Sequence, residues 1–198
     1  MKYTKIIIIS LLSIFLFNMP GFSKVITGGV DLEWTLLNQS ERDKTISFYH
    51  NMLFENIDKK IDTAQFAENQ KDHLWKTNQY LLKENMFSLP DRKLAGFYLF
   101  GKLLYAYAIR YENNKKHIYY YDAMGGLRYI DNLEKDYDQY PYKAYQYNNL
   151  GKLKGVTYYI SEYDQYAFKA NGEFYCRWYQ DKCYDKRAKM TLTRKIED

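Results

Sequence analysis

The sequence predicts an α+β protein in which N-terminal helices pack on a C-terminal antiparallel β-meander of hairpin repeats. Three observations predict this class: a helical period of apolar residues before residue 94, alternating aromatic and β-branched residues after it, and a turn pattern that recurs within 121–190. A length of 198 residues suits one compact domain, and an apolar fraction of 46% excludes wholesale disorder.

The N-terminus has the three parts of a secretory signal peptide, which we predict for residues 1–23. Lys2 and Lys5 precede an uncharged apolar run at 6–17, and the helix-breaking Pro20 and small residues follow that run. The run is short for a membrane span, which needs about 20 residues. We therefore expect a secreted or periplasmic protein. The alternative is an uncleaved N-terminal anchor, which would be the only contact with a membrane.

The charge balance gives no support to nucleic-acid binding. The formal net charge is +5, and cleavage after Ser23 would remove two lysines and leave +3. Lysines and acids are interspersed along the chain, which is typical of a solvated surface and not of a basic nucleic-acid-binding face. We therefore expect no nucleic-acid partner.

The pattern in residues 24–93 predicts helices. Ser40 and Asp43 resemble a capping box, and an apolar face with spacings of three and four residues follows them. A second helical period covers 69–87 and ends at a Ser-Leu-Pro-Asp turn. This segment is expected to pack on the strands that follow it.

Tyrosine marks the second segment, 94–198. Of the 23 tyrosines in the chain, 20 lie between Tyr98 and Tyr184. A codon bias would raise the tyrosine content evenly along the chain, so this excess belongs to the architecture of the segment. Aromatic and β-branched residues alternate there between polar turns, which predicts an antiparallel meander of about eight strands.

One seven-residue pattern recurs in the strand segment: aromatic, polar, two variable residues, Gly, polar and apolar. The Gly at position five supplies the positive φ that a tight hairpin turn needs, and positions one and seven can face the same side of the sheet. The fourth copy is degenerate because Ala188 stands in place of Gly. The copies cover 121–127, 147–153, 168–174 and 184–190.

The second copy, 147–153, resembles the Y-D-x-x-G-x-L core of bacterial YD (RHS-type) repeats, and its spacing of 21 residues to the third copy is similar to theirs. The resemblance covers residues 121–190. In that family the repeats form β-sheet shells or surface scaffolds without a catalytic role. The resemblance therefore implies hairpin architecture in an exported bacterial protein. Three good copies at irregular spacing are too few to close a large shell.

Cys176 and Cys183 are the two cysteines of the chain. A turn centred on Tyr179 and Gln180 would place them opposite each other across a hairpin, and an even count in an exported protein favours a disulfide. Two free thiols are the alternative, since a shift of register would put the side chains on opposite faces. A redox-active pair is disfavoured because six residues separate the cysteines and not two.

The sequence carries no recognisable motif for catalysis or for a cofactor. His50, His73 and His117 are far apart and lack metal-ligand spacing. Four acids between Asp131 and Asp138 predict a solvated loop, with a calcium loop as the alternative, although the EF-hand pattern is missing. We therefore expect no catalytic residues, no cofactor and no bound metal.

The tyrosine-rich strands allow a binding function. Outward-facing aromatic side chains could stack on sugars or peptides. The candidate binding residues are Trp178, Tyr158, Tyr159 and Tyr175. The alternative is that tyrosine serves only as a favourable strand residue.

The sequence thus predicts a non-enzymatic binding or structural module of the cell envelope, whose partner is a cell-wall glycan or an envelope protein. A small envelope hydrolase with a dispersed active site is one alternative. A membrane-tethered repeat protein with an uncleaved anchor is the other.

Overall fold

The structure is a computed structural model, and it describes residues 32–55, 92–99, 102–122 and 124–197. The chain divides into two compact units, and the described residues belong to the second of them, Asp31–Asp198. The signal peptide predicted for 1–23 and the helix predicted for 69–87 lie outside the described residues. The elements are α1 (Leu32–Leu36), α2 (Gln39–Phe54), β1 (Arg92–Leu99), β2 (Lys102–Tyr111), β3 (Asn114–Tyr121), β4 (Leu127–Leu133), β5 (Tyr142–Asn148), β6 (Leu153–Tyr159), β7 (Asp164–Lys169), β8 (Phe174–Tyr179), β9 (Lys182–Tyr184) and β10 (Met190–Glu197).

The ten strands form one antiparallel meander that closes on itself. Each strand pairs with its neighbours along the chain, and β1 also pairs with β10, where Ala95 is opposite Ile196. Each described strand therefore has two partners, so none of them is a free edge. The predicted antiparallel meander is confirmed, with ten strands where about eight were expected. Its first strand begins at Arg92, two residues before the expected boundary.

Four hairpin turns with the same backbone geometry lie at the four copies of the repeated pattern, all at one end of the closed sheet, which we call the turn end. At position five of each copy φ is positive: 87° at Gly125, 71° at Gly151, 83° at Gly172 and 60° at Ala188. The N–H of that residue donates to the carbonyl of position two, whose own N–H donates to the carbonyl of position six. The pattern therefore specifies one turn type, and Ala188 adopts the backbone conformation that favours glycine.

A one-residue bulge follows each of these turns. Positions one and seven are direct partners in all four copies, and the residue after position seven has no residue opposite it. The bulge residues are Arg128, Lys154, Tyr175 and Thr191, and all four are exposed. A bulge bends its strand and increases the local twist, and both effects help a sheet to close.

The helix α2 begins two residues earlier than the sequence pattern predicted. Its N-cap is Asn38, whose Oδ1 accepts from the Glu41 N–H at 3.0 Å, while the Glu41 carboxylate accepts from the Asn38 N–H at 2.8 Å. The capping box predicted at Ser40 and Asp43 is therefore wrong, because asparagine caps a helix as well as serine does. Neither of the two described helices has the length and apolar content needed to cross a membrane.

The helices pack on one face of the strands β5 to β8, which we call the outer face. Trp34 and Leu53 are fully buried in this contact. The ring of Tyr49 stacks on that of Tyr166, with 4.0 Å between the ring centroids. The opposite side of α2 stays exposed, so the helix covers the sheet from outside.

A buried arginine holds the helices against the fourth hairpin turn. The Arg42 guanidinium donates to the Lys186 carbonyl at 3.1 Å, to the Trp34 carbonyl at 3.4 Å and to the carbonyl of Leu37. The Trp34 indole N–H donates to the Asp185 carbonyl at 3.2 Å. Since buried carbonyls need donors, these contacts fix where α1 and α2 lie on the outer face.

We expect substitutions at position five of the repeat to act in opposite directions. Gly151→Ala should lower the free energy of unfolding by about 1 kcal/mol, because alanine is strained at a positive φ. Ala188→Gly should raise it by less, since the strain is removed but the Ala188 methyl group also packs on the outer-face core. Urea denaturation of both variants measures the two changes. Changes of the same sign would contradict this account of the turns.

Candidate binding site inside the closed sheet

The face of the sheet opposite the helices is the concave one. Side chains from strands that are not neighbours in the sheet contact each other on this face, which identifies it as the interior. Arg110 in β2 forms an ion pair with Glu162 after β6, with Nη1 and Oε1 2.9 Å apart. Arg194 in β10 donates to Oε1 of Gln165 in β7 at 3.3 Å. Three strands separate β2 from β6 and two separate β10 from β7, so these contacts cross the interior. We call this the inner face.

Arg194 closes the end of the sheet opposite the turn end, which we call the loop end. Its guanidinium lies 5.0 Å from the centre of the Trp178 ring. It also donates to the carbonyls of Gln180 and Glu162, each at 2.9 Å. The side chain thus joins the turn after β8 to the turn after β6, and its donors are taken up by neutral oxygen atoms of the protein.

The middle of the inner face is lined by small side chains. One row crosses four neighbouring strands in register and consists of Ala144, Thr157, Ala167 and Cys176. Thr157 keeps accessible surface, as do Gln146 and Gly155 beside the row, although Val156 on the outer face of the same strand is completely buried. Small side chains inside a ten-stranded sheet leave space that larger ones would fill. The accessible surface of Thr157, Gln146 and Gly155 indicates open space on the inner face at this level, and we call this space the cavity.

A buried carboxylate faces this level of the inner face. Asp131 in β4 is only 2% exposed and lies opposite Gln146 in register. The Tyr120 hydroxyl donates to its Oδ2 at 2.9 Å, while its Oδ1 has no hydrogen-bond partner in the described part of the chain. Burial raises the pKa of Asp131 to about 6, and the adjacent Gln146 side chain, the Tyr120 hydroxyl and the charge of Arg110 limit the rise.

The arrangement favours a ligand that donates hydrogen bonds. The guanidinium groups of Arg110 and Arg194 are satisfied by Glu162 and by protein oxygen atoms. Among these inner-face groups, Oδ1 of Asp131 is therefore the atom without a hydrogen-bond partner in the described part of the chain. A buried acceptor without a donor costs about 1–3 kcal/mol, and a hydroxyl, amide or ammonium group placed there would remove this cost. The cavity walls offer further hydrogen-bonding groups on Gln146 and Thr157.

The acids between Asp131 and Asp138 do not form a single loop, so that prediction is wrong. Asp131 belongs to β4, where it alternates with Tyr129 and Leu133 along one strand. Asp138 lies in the exposed connection after β4 and pairs with Lys115 at 2.6 Å. No three His, Cys, Asp or Glu side chains within the described ranges are placed to hold a metal ion.

The two histidines within the described ranges stand apart from each other and from Asp131. His50 lies on α2, where its ring stacks on Phe54 with centroids 4.9 Å apart. His117 lies in β3 next to the inward-facing Ile118, and burial lowers the pKa of His117 to about 4. His117 is therefore neutral at neutral pH and does not face the cavity. The third histidine, His73, lies outside the described residues.

Cys176 and Cys183 lie on the inner face as separate thiols, and both are buried. The turn between them is at Gln180 and Asp181, so Cys183 is opposite Trp178 and diagonal to Cys176. The predicted placement directly opposite each other is therefore wrong. Burial, together with the adjacent Cys183, raises the pKa of the Cys176 thiol. Since both side chains share one face, the disulfide stays a prediction.

The four aromatic residues predicted to bind a ligand do not form one exposed surface. Trp178 and Tyr159 are buried on the inner face. Tyr158 lies on the outer face under α2, with its ring centroid 5.7 Å from that of Tyr49. Tyr175 is exposed at the third bulge. A binding role for Trp178 and Tyr159 stays a prediction, but these residues can contact a ligand only from inside the sheet.

The polar residues of the inner face were missed by the sequence analysis. Arg110 and Asp131 each occupy an alternate position in a strand whose same-face neighbours are apolar, Ala108 and Leu133. Polar residues at such positions on the apolar side of a strand are a sequence signal for polar groups inside the sheet. The pattern cannot show which side chains meet across the interior, because a contact such as that of Arg110 with Glu162 forms only when the sheet closes.

A scan against protein-family models finds no match, and searches of curated proteins and of solved structures find none either. The resemblance to YD repeats therefore depends on the sequence motif alone.

We expect Asp131→Asn to stabilise the protein at neutral pH. A carboxyl pKa raised from its usual value to about 6 means that the folded state holds the proton more tightly, so stability is lost as the pH rises towards 6. The loss of free energy of unfolding that corresponds to this pKa shift amounts to roughly 2–3 kcal/mol. Thermal melts at pH 4.5 and pH 7.5 should show that the variant exceeds the wild type in melting temperature by more at pH 7.5.

Asp138→Asn is the matched control. The Lys115 ammonium lowers the pKa of Asp138, so this variant should be less stable than the wild type at pH 7.5, with the difference shrinking as the pH falls through the Asp138 pKa. An equal gain for Asp131→Asn at both pH values would show that the Asp131 carboxyl is not buried as described.

Proposed function

We propose that this protein is an exported, non-enzymatic binding module of the bacterial cell envelope, and that it holds a small polar ligand inside the closed sheet. The observation that carries the proposal is the unpartnered Oδ1 of Asp131, which faces a level of the interior lined by small side chains. Export is supported by the predicted signal peptide. The site differs from the exposed aromatic surface that the sequence suggested.

The contacts of the inner polar groups favour binding over catalysis. Arg110 is paired with Glu162, and Arg194 is used to join two turns at the loop end. These groups are therefore fixed in position by the protein itself. A site of this kind orients a ligand through hydrogen bonds in a mostly apolar cavity, which is the usual construction of a small-molecule site.

A cell-wall glycan fragment is the ligand class that fits best. Sugars carry many hydroxyl and amide donors, one of which can satisfy Asp131, and sugar rings pack well on tyrosine. Tyr120 lies directly beside the Asp131 carboxylate. A binding partner that is a whole envelope protein fits less well, because the unsatisfied group lies inside the sheet.

Soluble peptidoglycan fragments provide the test. We expect isothermal titration with a disaccharide-peptide to show binding by the wild type and a loss of about tenfold or more for Asp131→Asn, since one charged hydrogen bond is removed. Thr157→Leu should block the cavity and also weaken binding. Asp138→Asn, the same substitution in an exposed loop, should bind like the wild type. Equal binding by all four proteins would overturn the proposal for this site.

The small envelope hydrolase remains the second candidate, because one observation favours it. A carboxyl with a pKa of about 6 next to a tyrosine hydroxyl is suited to act as a general acid. Release of reducing sugar ends from peptidoglycan, with a pH profile that has an apparent pKa near 6 and is abolished in Asp131→Asn, would support the hydrolase and overturn the non-enzymatic proposal. An intact Met1 in the exported protein would support the tethered alternative.

A further inference from the structure

Three large apolar side chains are exposed on the turn segments, and Met190, at 50%, is less exposed than the other two. Met124 is 82% exposed and Leu150 is 72% exposed, and each is position four of its repeat copy. Their backbone N–H groups donate to the side chains of Asp122 and Asn148 at 2.9 and 3.1 Å, so each apolar side chain projects from a rigid turn. The two turns belong to hairpins that are joined through the pairing of β4 with β5.

The turn end is also strongly basic, whereas the loop end is acidic. The turn segments 122–128, 148–154, 169–173 and 185–190 contain seven Lys and Arg and three acids, a formal net charge of +4. The loop segments 112–116, 134–141, 160–164 and 180–182 contain seven acids and four lysines, a net charge of −3. In these segments the two ends of the sheet therefore carry opposite net charge.

Most of the positive charge at the turn end is available to a partner. The acids there are already engaged: Asp122 pairs with Arg128 at 2.6 Å and Glu173 with Lys169 at 2.8 Å, while Asp185 accepts backbone N–H groups of its own turn. The remaining basic residues form no ion pair within the described ranges, and all of them are exposed. They are Lys152, Lys154, Lys186, Arg187 and Lys189.

We propose that the turn end docks on the surface of a membrane that contains anionic lipids. Exposed apolar side chains on two rigid turns, with unpaired basic residues on the second and fourth turns of the same end, match a surface that has negative headgroups above hydrocarbon. The lysines and arginines contact the headgroups, while Met124 and Leu150 enter the boundary between headgroups and acyl chains. This orientation keeps the acidic loop end away from the membrane. The contact is additional to any anchoring by the N-terminal segment.

A lipid surface fits these observations better than a soluble acidic partner. A soluble polyanion would bind the basic residues, but it would leave the two apolar side chains in water. Scattered lysines on separate turns do not form a groove that would fit a polyanion. Both classes of residue are used only when the partner is anionic and apolar at once.

Vesicle flotation tests the proposal with the protein as a bacterial host exports it. We expect binding to vesicles of phosphatidylcholine mixed with phosphatidylglycerol, and much weaker binding to phosphatidylcholine alone or at high salt. The double variant Met124→Gln with Leu150→Gln should reduce partitioning by about tenfold. Lys152→Glu with Lys186→Glu should reduce it by at least as much.

Matched controls come from the loop end. Lys116→Glu with Lys135→Glu changes the net charge by the same amount, and Tyr163→Gln removes a side chain that is 46% exposed. Both controls should bind like the wild type. The proposal is overturned if the wild type ignores anionic vesicles, or if the control variants lose as much binding as the turn-end variants.

A depth measurement separates insertion from electrostatic attachment. A tryptophan introduced by Met124→Trp should be quenched by brominated acyl chains, and one introduced by Tyr163→Trp should not. Full binding by the Met124 and Leu150 variant, together with no quenching at position 124, would overturn the insertion of these side chains.

Discussion

The left-handed residue at position five of each repeat turn, together with the bulge that follows it, is the constraint on which the structure depends. Once φ is positive at Gly125 or Gly151, the chain reverses so that positions one and seven are direct partners. The added bulge residue then bends the outgoing strand. Four such bends at the same end of a meander accumulate in one direction, which brings β10 back to β1. The same local chemistry, repeated four times, therefore favours closure.

Closure in turn determines where function can reside. A closed sheet has an inner face, and contacts such as Arg110 with Glu162 or Arg194 with Gln165 exist only across it. These contacts fill the loop end, and the small residues deeper in the sheet leave the space into which Asp131 points. The helices bury the outer face of β5 to β8, so only the inner face of these strands is left for a ligand. The interior and the turn end are the two surfaces for which we propose functions.

Much of the fold follows from the sequence because its turns are local. The aromatic, Asx and glycine residues of each copy specify a hairpin without reference to the rest of the chain, and even Ala188 keeps that conformation. The cap at Asn38 was missed because asparagine and serine compete for the same role. Closure could not be predicted, since the partner of β1 lies about a hundred residues away along the chain. Asp131 was assigned to a loop because the acids that follow it in the sequence suggested one, although its neighbours in the structure lie inside the sheet.

Nuclear magnetic resonance of the backbone tests closure most directly. A closed sheet predicts nuclear Overhauser contacts between β1 and β10, for instance between Ala95 and Ile196 and between Phe97 and Arg194, and slow hydrogen exchange of the amides that these two strands share. An open meander predicts no such contacts, and its β1 and β10 amides would exchange quickly as those of free edges do. That second result would contradict the interior site and the account of the repeats as the cause of closure.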